Sequence, residues 1–357
     1  DIVSAGLYLK KYEGDTVSNL HFFLEYLSAG EKDTTGPGFK LSAGEVTATQ
    51  LSFRYRDMNA EKKEGIDFKN LDLTGIGFKA ADLSIEGDDI RANMQNLSAR
   101  DHSGFHIREF SGDLLVMSDS IDARDLIIRT NKSDIGMDLA FDFTSFRSFG
   151  NFIDSVRMVA ELSDTEVNMS DIGFFAPSLS DMDNGIAVAG KIKGKVSDMK
   201  ASPFRFSYGN ETSFAGSISL DGLPEIEETF VHLSINQMTT SMEDVQTIRL
   251  PGNGQYISLP APVEKFGRVE LTGKFTGFYN DFVSYGDFDT ELGDLSTDIM
   301  LKLNKKEEFI YNGKLNADGF DIGAIANAGD VLGKMDLQMK LNGKGLSAET
   351  ADIEMEG

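Results

Sequence analysis

The chain has no cysteine and no tryptophan, and only 7 of its 357 residues are proline. Without cysteine there are no disulfide staples, no thiolate nucleophile and no Cys-ligated metal. Histidine is scarce too, at 4 residues. Basic residues are outnumbered: 34 Lys and Arg face 58 Asp and Glu, a net charge of −24. Such a surface repels a phosphate backbone along its whole length, which argues against nucleic acid as a partner. No apolar run approaches 18 residues, and the sequence opens with neither an initiator Met nor a signal peptide. Residues 351–355 still read as a strand in progress. The chain is therefore expected to be a segment of a longer protein, with any membrane anchor or export signal outside it.

What is present is glycine (36), phenylalanine (26) and a near-normal 40% of hydrophobic residues, too many for a disordered acidic tail. The apolar residues recur at every second position. Ile135, Met137, Leu139, Phe141 and Phe143 alternate with Gly136, Asp138, Ala140 and Asp142. The same period runs through Ile90, Ala92, Met94; Ile186, Val188, Ile192, Val196; Val231, Leu233, Ile235; Val269, Leu271, Phe275; Ile299, Leu301, Leu303; and Met335, Leu337, Met339, Leu341. Strict alternation gives each strand one apolar and one wet face. Connections are read at Glu86-Gly87-Asp88-Asp89, Asp221-Gly222 and Asn312-Gly313, built from turn formers. The expected fold class is all-β, an elongated, curled antiparallel sheet of many strands with a few short helices. Helical spacing is confined to 17–27, to 241–248 with Thr240 or Ser241 as cap, to 321–332, and to a brief turn at 170–175 that ends before Pro177.

A loose internal repeat accompanies this pattern. Short helical or irregular pieces at 171–179, 242–248 and 321–332 each precede a Lys-apolar-x-Gly stretch, at Lys191-Ile192-Lys193-Gly194, Lys274-Phe275-Thr276-Gly277 and Lys340-Leu341-Asn342-Gly343. The spacings are unequal (275 − 192 = 83; 341 − 275 = 66), so this is a repeated β-module with variable hairpins rather than a rigid solenoid. No low-complexity linker divides the chain, and residues 1–357 are taken as one repetitive segment.

Catalytic and cofactor motifs do not survive inspection. Gly185 to Lys191 spells G-x-x-x-x-G-K, but Ile192 replaces the Ser or Thr that would hold Mg²⁺. The stretch also alternates as a strand instead of feeding a helix. Asp181-x-Asp183-Asn184-Gly185 has its Gly one position too early for an EF-hand and lacks the closing Glu. His102 and His106 lie in a Gly-containing stretch with no H-E-x-x-H. There is no G-x-S-x-G elbow, and acid pairs such as Asp88 and Asp89 are ordinary among 58 acids. No enzyme, metal or cofactor is expected.

The apolar faces remain to be accounted for, with little helix to cover them. Two sheets could pack as dry sandwiches. A barrel could turn the face to lipid, which fits poorly because many strands look shorter than the ~9–11 residues a span needs and aromatic girdles are missing. Or one long, curled sheet could fold around its own apolar face and leave a groove.

Three further runs bear on this choice: Leu271-Thr272-Gly273-Lys274-Phe275-Thr276-Gly277-Phe278, Asp281-Phe282-Val283-Ser284-Tyr285-Gly286, and Thr290-x-Leu292-Gly293-x-Leu295-x-x-Asp298. With Ser170-Asp171-Ile172, Ala176-Pro177, Gly222-Leu223-Pro224 and the opening Tyr8-Leu9-Lys10-Lys11-Tyr12, they resemble the TamB family of the AsmA-like superfamily, especially its forms in Bacteroidota-type bacteria. The likeness runs through most of the chain and its motifs are structural. The family's C-terminal domain and N-terminal membrane helix are not seen in this sequence. The resemblance implies a periplasmic protein of a Gram-negative bacterium, anchored in the inner membrane and bridging to the outer one. It implies a U-shaped β-groove that carries phospholipid acyl chains, and a BamA/TamA-type outer-membrane barrel protein as partner. Strand parity then places Met137, Leu139, Phe141, Ile192, Phe275, Ile299 and Leu301 on the groove wall and Asp138, Asp142 and Lys274 in water. The alternatives are a scaffold for outer-membrane protein assembly or secretion, offering sheet edges, and a structural or adhesive surface protein with dry sandwich cores.

Overall fold

A computed structural model of the chain describes residues 1–20, 40–250, 252, 254–259, 261–304, 308–345 and 352–357. The expected helix over 17–27 lies, beyond residue 20, outside the described residues. Among the described residues there are twenty strands, and the α-helices bounded there have only four or five residues each. The all-β class is as the alternation implies. The strands fall into two compact units. Residues 1–151 and 158–185 make most of the first, and 186–250 and 255–357 most of the second.

In the first unit, β1 (Ile2–Val3) and β2 (Gly6–Lys11) are followed by β3 (Lys40–Asp57), β4 (Asp72–Glu86), β5 (Asp89–Asp101), β6 (His106–Ile107), β7 (Glu109–Val116), β8 (Ser120–Arg129), β9 (Asp134–Asp142) and β10 (Arg157–Asn168). From β3 onward the neighbours form an antiparallel meander. The hairpin between β4 and β5 turns on Gly87, at φ +64°, as read from Glu86-Gly87-Asp88-Asp89. β1 and β2 instead run parallel to β3, so the sheet is mixed where pure antiparallel pairing was expected. A parallel neighbour needs a long connection, and the residues between Lys11 and Lys40 are numerous enough to supply one.

The strands are longer than their alternation suggested: β3 has 18 residues, β4 15 and β5 13. The alternation breaks inside them because of bulges. On β8, Ala123 faces Leu139 and Leu126 faces Met137, so two residues oppose the single Asp138. The extra residue, Asp125, takes φ +49°, and its N–H donates to Asp138 Oδ1 at 2.8 Å. The bulge resets parity. Ala123 and Leu126, three apart, therefore share one face and are both buried, whereas simple alternation would have turned Asp125 inward. The same device occurs at Ala48-Thr49-Gln50-Leu51 and Ala80-Ala81-Asp82-Leu83, with Gln50 and Asp82 at positive φ.

The second unit is a further antiparallel meander: β11 (Gly185–Lys195), β12 (Asp198–Tyr208), β13 (Thr212–Asp221), β14 (Phe230–Ser241), β15 (Arg268–Phe278), β16 (Asp281–Thr290), β17 (Gly293–Leu303), β18 (Phe309–Asp321), β19 (Lys334–Lys344) and β20 (Asp352–Glu356). Among the described residues β20 pairs with β19 alone, and the sheet of this unit is open. Its bulge at Ala317-Asp318-Gly319-Phe320 repeats that of β8. Gly319 has φ +55°, its N–H donates to Asp336 Oδ1 at 2.8 Å, and Ala317 and Phe320 are both buried. Asn312-Gly313, expected to be a turn, lies in the middle of β18. A Cβ on Gly313 would stand 2.3 Å from the Asp298 carbonyl oxygen and 3.0 Å from Ile299 Cγ1. Glycine is there for close approach across the ladder, not for a turn.

The helices bounded within the described residues are α1 (Phe152–Ser155), α2 (Met169–Gly173), α3 (Met242–Gln246), α4 (Ala261–Glu264) and α5 (Ile322–Ala326). Three of them realise the repeat seen in the sequence. Each of α2, α3 and α5 follows a long strand and precedes a strand bearing the Lys-apolar-x-Gly stretch. Asn168, Ser241 and Asp321 cap them by accepting from Ser170, Asp244 and Ala324 N–H. α5 is shorter than the expected 321–332 because Asn327 turns left-handed, at φ +53°, and ends it.

Buried carboxylates tie the short helices to distant hairpins. Asp244 on α3 accepts from the backbone N–H groups of Asn210, Glu211 and Thr212 and from the Thr212 hydroxyl, at 2.8–3.1 Å. At the matching position of α2, Asp171 accepts from the hydroxyls of Thr130 and Ser133 and from Lys132 N–H. Burial pushes the Asp244 carboxyl up, but its donors together outweigh that and hold it below the ordinary carboxylate value. Asp57, Asp67 and Asp101 show the same balance.

A carboxyl depressed in the folded state contributes stability above its unfolded pKa and loses it as pH falls through its folded value. Urea midpoints should therefore hold steady from neutral pH down to about 5 and fall below about 4. Asp244→Ala leaves the buried Thr212 N–H and two part-buried N–H groups, of Asn210 and Glu211, without their acceptor, and should cost about 1–3 kcal/mol by urea denaturation at neutral pH. An Asp244→Ala protein as stable as the parent would refute this role.

Candidate functional site

The face that simple parity assigns to the interior of the second unit can be followed strand by strand. One row across the sheet runs Leu233, Phe275, Ser284, Ile299, Gly313, Leu341. The next runs Val231, Gly277, Phe282, Leu301, Tyr311, Gly343. Small residues interrupt the large side chains of each row, Ser284 and Gly313 in the first and Gly277 and Gly343 in the second, and a single layer packs sideways within itself. The Phe275 and Phe282 rings sit 4.7 Å apart, and the Tyr311 ring lies over Gly343, where a Cβ would meet its hydroxyl at 2.7 Å. This is lateral packing, and the layer is left partly open above. Phe275, Ile299, Leu301, Leu315, Met339 and Leu341 are all half-buried.

Fully buried apolar side chains are few. Thirteen occur among the described residues, and six of them are alanines. A dry sandwich would bury most of its inward positions. The opposite face carries Lys274, Asp298 and Lys302 in the open, with Lys302 Nζ 2.6 Å from Asp281 Oδ2. It is not purely polar, since Val283 (52% exposed) and Met300 (45%) stand opposite each other on it.

All seven residues expected on the groove wall are half-buried. Phe275, Ile299 and Leu301 come together in the two rows above. Ile192 is on β11, paired with Ala201 across a bulge. In the first unit, Met137, Leu139 and Phe141 share one face of β9, opposite Leu126, Ala123 and Ile121. Phe141 is not open to solvent along its length. A 3-10 turn, Phe146–Asn151, brings Phe149 edge-on to it at 6.2 Å, within a cluster that includes Phe143 and Phe146. Asp138, Asp142 and Lys274 are exposed. Leu233, Phe282, Leu315, Met339 and Leu341 belong to the same apolar face. Their alternation could have added them to the expected wall.

A cavity of about 910 Å³ in the second unit crosses β14 to β19 along Met238, Leu271, Phe288, Leu295, Ala317 and Leu337. None of the seven expected residues lines it. Glu270, Asp287, Asp289, Asp294, Asp318 and Asp336 flank it, so an anion would be repelled there. Among the described residues no three or more His, Asp or Glu side chains are grouped to hold a metal ion. The G-x-x-x-x-G-K stretch lies in β11, with Gly190 opposite Phe204, not at a helix N-terminus.

No family model matches the chain, and no curated protein or solved structure matches it either.

Half-burial and full burial respond differently to charge. An Arg at Leu301 can run its aliphatic stem along the layer and keep the guanidinium in water, and Leu301→Arg should lower stability by less than about 2 kcal/mol. Leu126 is 1% exposed, and Leu126→Arg should cost about 4 kcal/mol or more, or abolish folding. Thermal and urea melts of the two variants check this. Equal losses would mean that the Leu301 face is closed core.

Proposed function

We propose that the chain is part of a lipid conduit whose apolar sheet face shields phospholipid acyl chains between the inner and outer membranes of a Gram-negative bacterium, in support of outer-membrane biogenesis. The observation that carries this reading is the half-open apolar layer running unbroken from β14 to β19. Each methylene such a face takes from water is worth about 0.8 kcal/mol. A chain lying along successive rows gains this at every position, so continuity matters more than any deep pocket. The sequence resemblance to the TamB family supports the same reading. With it come a periplasmic location, an inner-membrane anchor outside this segment, and a BamA/TamA-type barrel as partner. No nucleotide, metal or nucleophile is required by a groove. A closed, adhesive sandwich has less support, because its inward rows would be dry.

Adjacent positions on one strand test the reading. A photo-crosslinking residue at 299 or 301 should capture phospholipid in cells, while one at 298 or 302, on the other face of β17, should not. Mass spectrometry of the crosslinked chain reads the difference. Adducts to protein alone at 299 and 301, or equal lipid capture at all four positions, would overturn it.

A further inference from the structure

In a chain of net charge −24, one small cavity is cationic. It lies in the first unit, holds about 200 Å³, and is lined by Arg54, Arg56, Lys62, His102, Tyr8 and Asp72, among others. We propose that this pocket binds a phosphate group. On the conduit reading, on which this assignment of the source rests, that group belongs to a phospholipid headgroup.

The pocket is put together by the register of β2 and β3. Arg54 and Arg56 are two apart on β3 and therefore share a face. The parallel pairing sets Tyr8 beside Arg54 and Lys10 beside Arg56. Arg54 is committed to Asp72, with Nε 2.8 Å and a terminal nitrogen 2.7 Å from Asp72 Oδ2, and it lies over the Tyr8 ring. Arg56 and Lys62 have no hydrogen-bond or ion-pair partner among the described residues. Two unspent cations thus converge where one carboxylate offsets only one of three permanent positive charges.

The surroundings hold these groups in place. Buried Asp67 accepts from the N–H groups of Lys63 and Lys69 and from Asn70 Nδ2, which shapes the loop carrying Lys62 and Asn70. Buried Asp101 accepts from Ser103 N–H and lies 3.3 Å from His102 Nδ1, fixing the turn that presents His102. The volume is below that of drug-sized sites and suits a compact anion. An Arg fork with an ammonium beside it is the donor set that tetrahedral oxyanions favour. The acid-flanked cavity of the second unit lacks every one of these features.

Calorimetric titration of the full chain with inorganic phosphate, glycerol phosphate and a short-chain phosphatidylglycerol kept below its micelle concentration tests the assignment. The variants are Arg56→Gln, Lys62→Gln and both together, with Lys340→Gln as a surface control. The double variant should weaken all three ligands by about ten-fold or more, and salt should weaken the parent likewise. If the short-chain lipid also binds the parent at least about ten-fold tighter than glycerol phosphate, the headgroup assignment stands. If the double variant loses all three ligands but the lipid binds no tighter, the pocket stands as a free-phosphate site and the headgroup assignment is overturned. Absence of saturable binding, or binding that neither variant changes, overturns the pocket itself, whatever crosslinking at 299 and 301 reports about acyl chains. Lys62 lies on a loop and is exposed, so Lys62→Gln keeps the test valid should the Arg56 variants fail to fold.

Discussion

Side chains two residues apart on a strand share a face, and this chain must keep that parity over strands of ten residues and more. A twisted sheet cannot hold such long ladders flat. The bulges at Gln50, Asp82, Asp125 and Gly319 admit one extra residue, bend the strand and restore the apolar side to the face it left. Each costs a left-handed residue, and at Asp125 and Gly319 an Asp on the neighbouring strand offsets part of that cost by accepting the exposed N–H. The alanines before them, Ala48, Ala80, Ala123 and Ala317, are buried because only a small side chain fits the inside of the bend. Among the described residues, six of the thirteen buried apolar side chains therefore sit where the sheet changes direction, and the straight runs between bends keep many of their larger apolar side chains half open.

That division sets what must hold the fold together. A single layer with a thin core gains less from burial than a two-layer domain does. Backbone ladders, lateral contacts along each row and anchored turns make up the difference. The buried carboxylates belong to the last class. Asp171 and Asp244 each join a short helix to a hairpin more than thirty residues earlier. Asp57, Asp67 and Asp101 organise the turns at strand ends. An acidic composition is thus partly architectural: a carboxylate that accepts three or four backbone and hydroxyl donors closes a turn that would otherwise leave them unpaired.

Much of this was legible in the sequence, and the rest was hidden for identifiable reasons. Period-two alternation located most of the antiparallel strands, and Ser241, one of two candidate caps, marks a true helix start. Strand lengths were underread because a bulge interrupts alternation in the way a turn does, and Asn312-Gly313 carried a turn signature inside a strand. The pattern Ala-x-[Asp/Gln/Gly]-[Leu/Phe] recurs at four bulges and was the available clue. Parallel pairing of β1 and β2 leaves no local trace, because it depends on where a distant connection returns. The seven expected residues are half-buried; parity assigns each a face and leaves open how far that face is covered. The aromatic lid over Phe141 and the cationic pocket needed contacts between residues far apart in sequence.

On the proposed conduit reading the chain has to bind without trapping, and the half-open rows of the second unit suit that demand. Half-exposed rows give a moderate gain at each position and nearly the same gain one row further on, so displacement along the sheet meets no deep minimum. The alternation of Phe275, Ser284, Ile299, Gly313 and Leu341 keeps the layer level, and glycine or serine between large side chains prevents a closed pocket from forming. Charge supplies the discrimination that such a surface lacks. Carboxylates around the large cavity would exclude a phosphate, whereas Arg56 and Lys62 leave two cations unspent. On the proposed reading, the acyl-chain contacts of the second unit and the phosphate contacts of the first are separate terms, each adjustable by substitution without loss of the other.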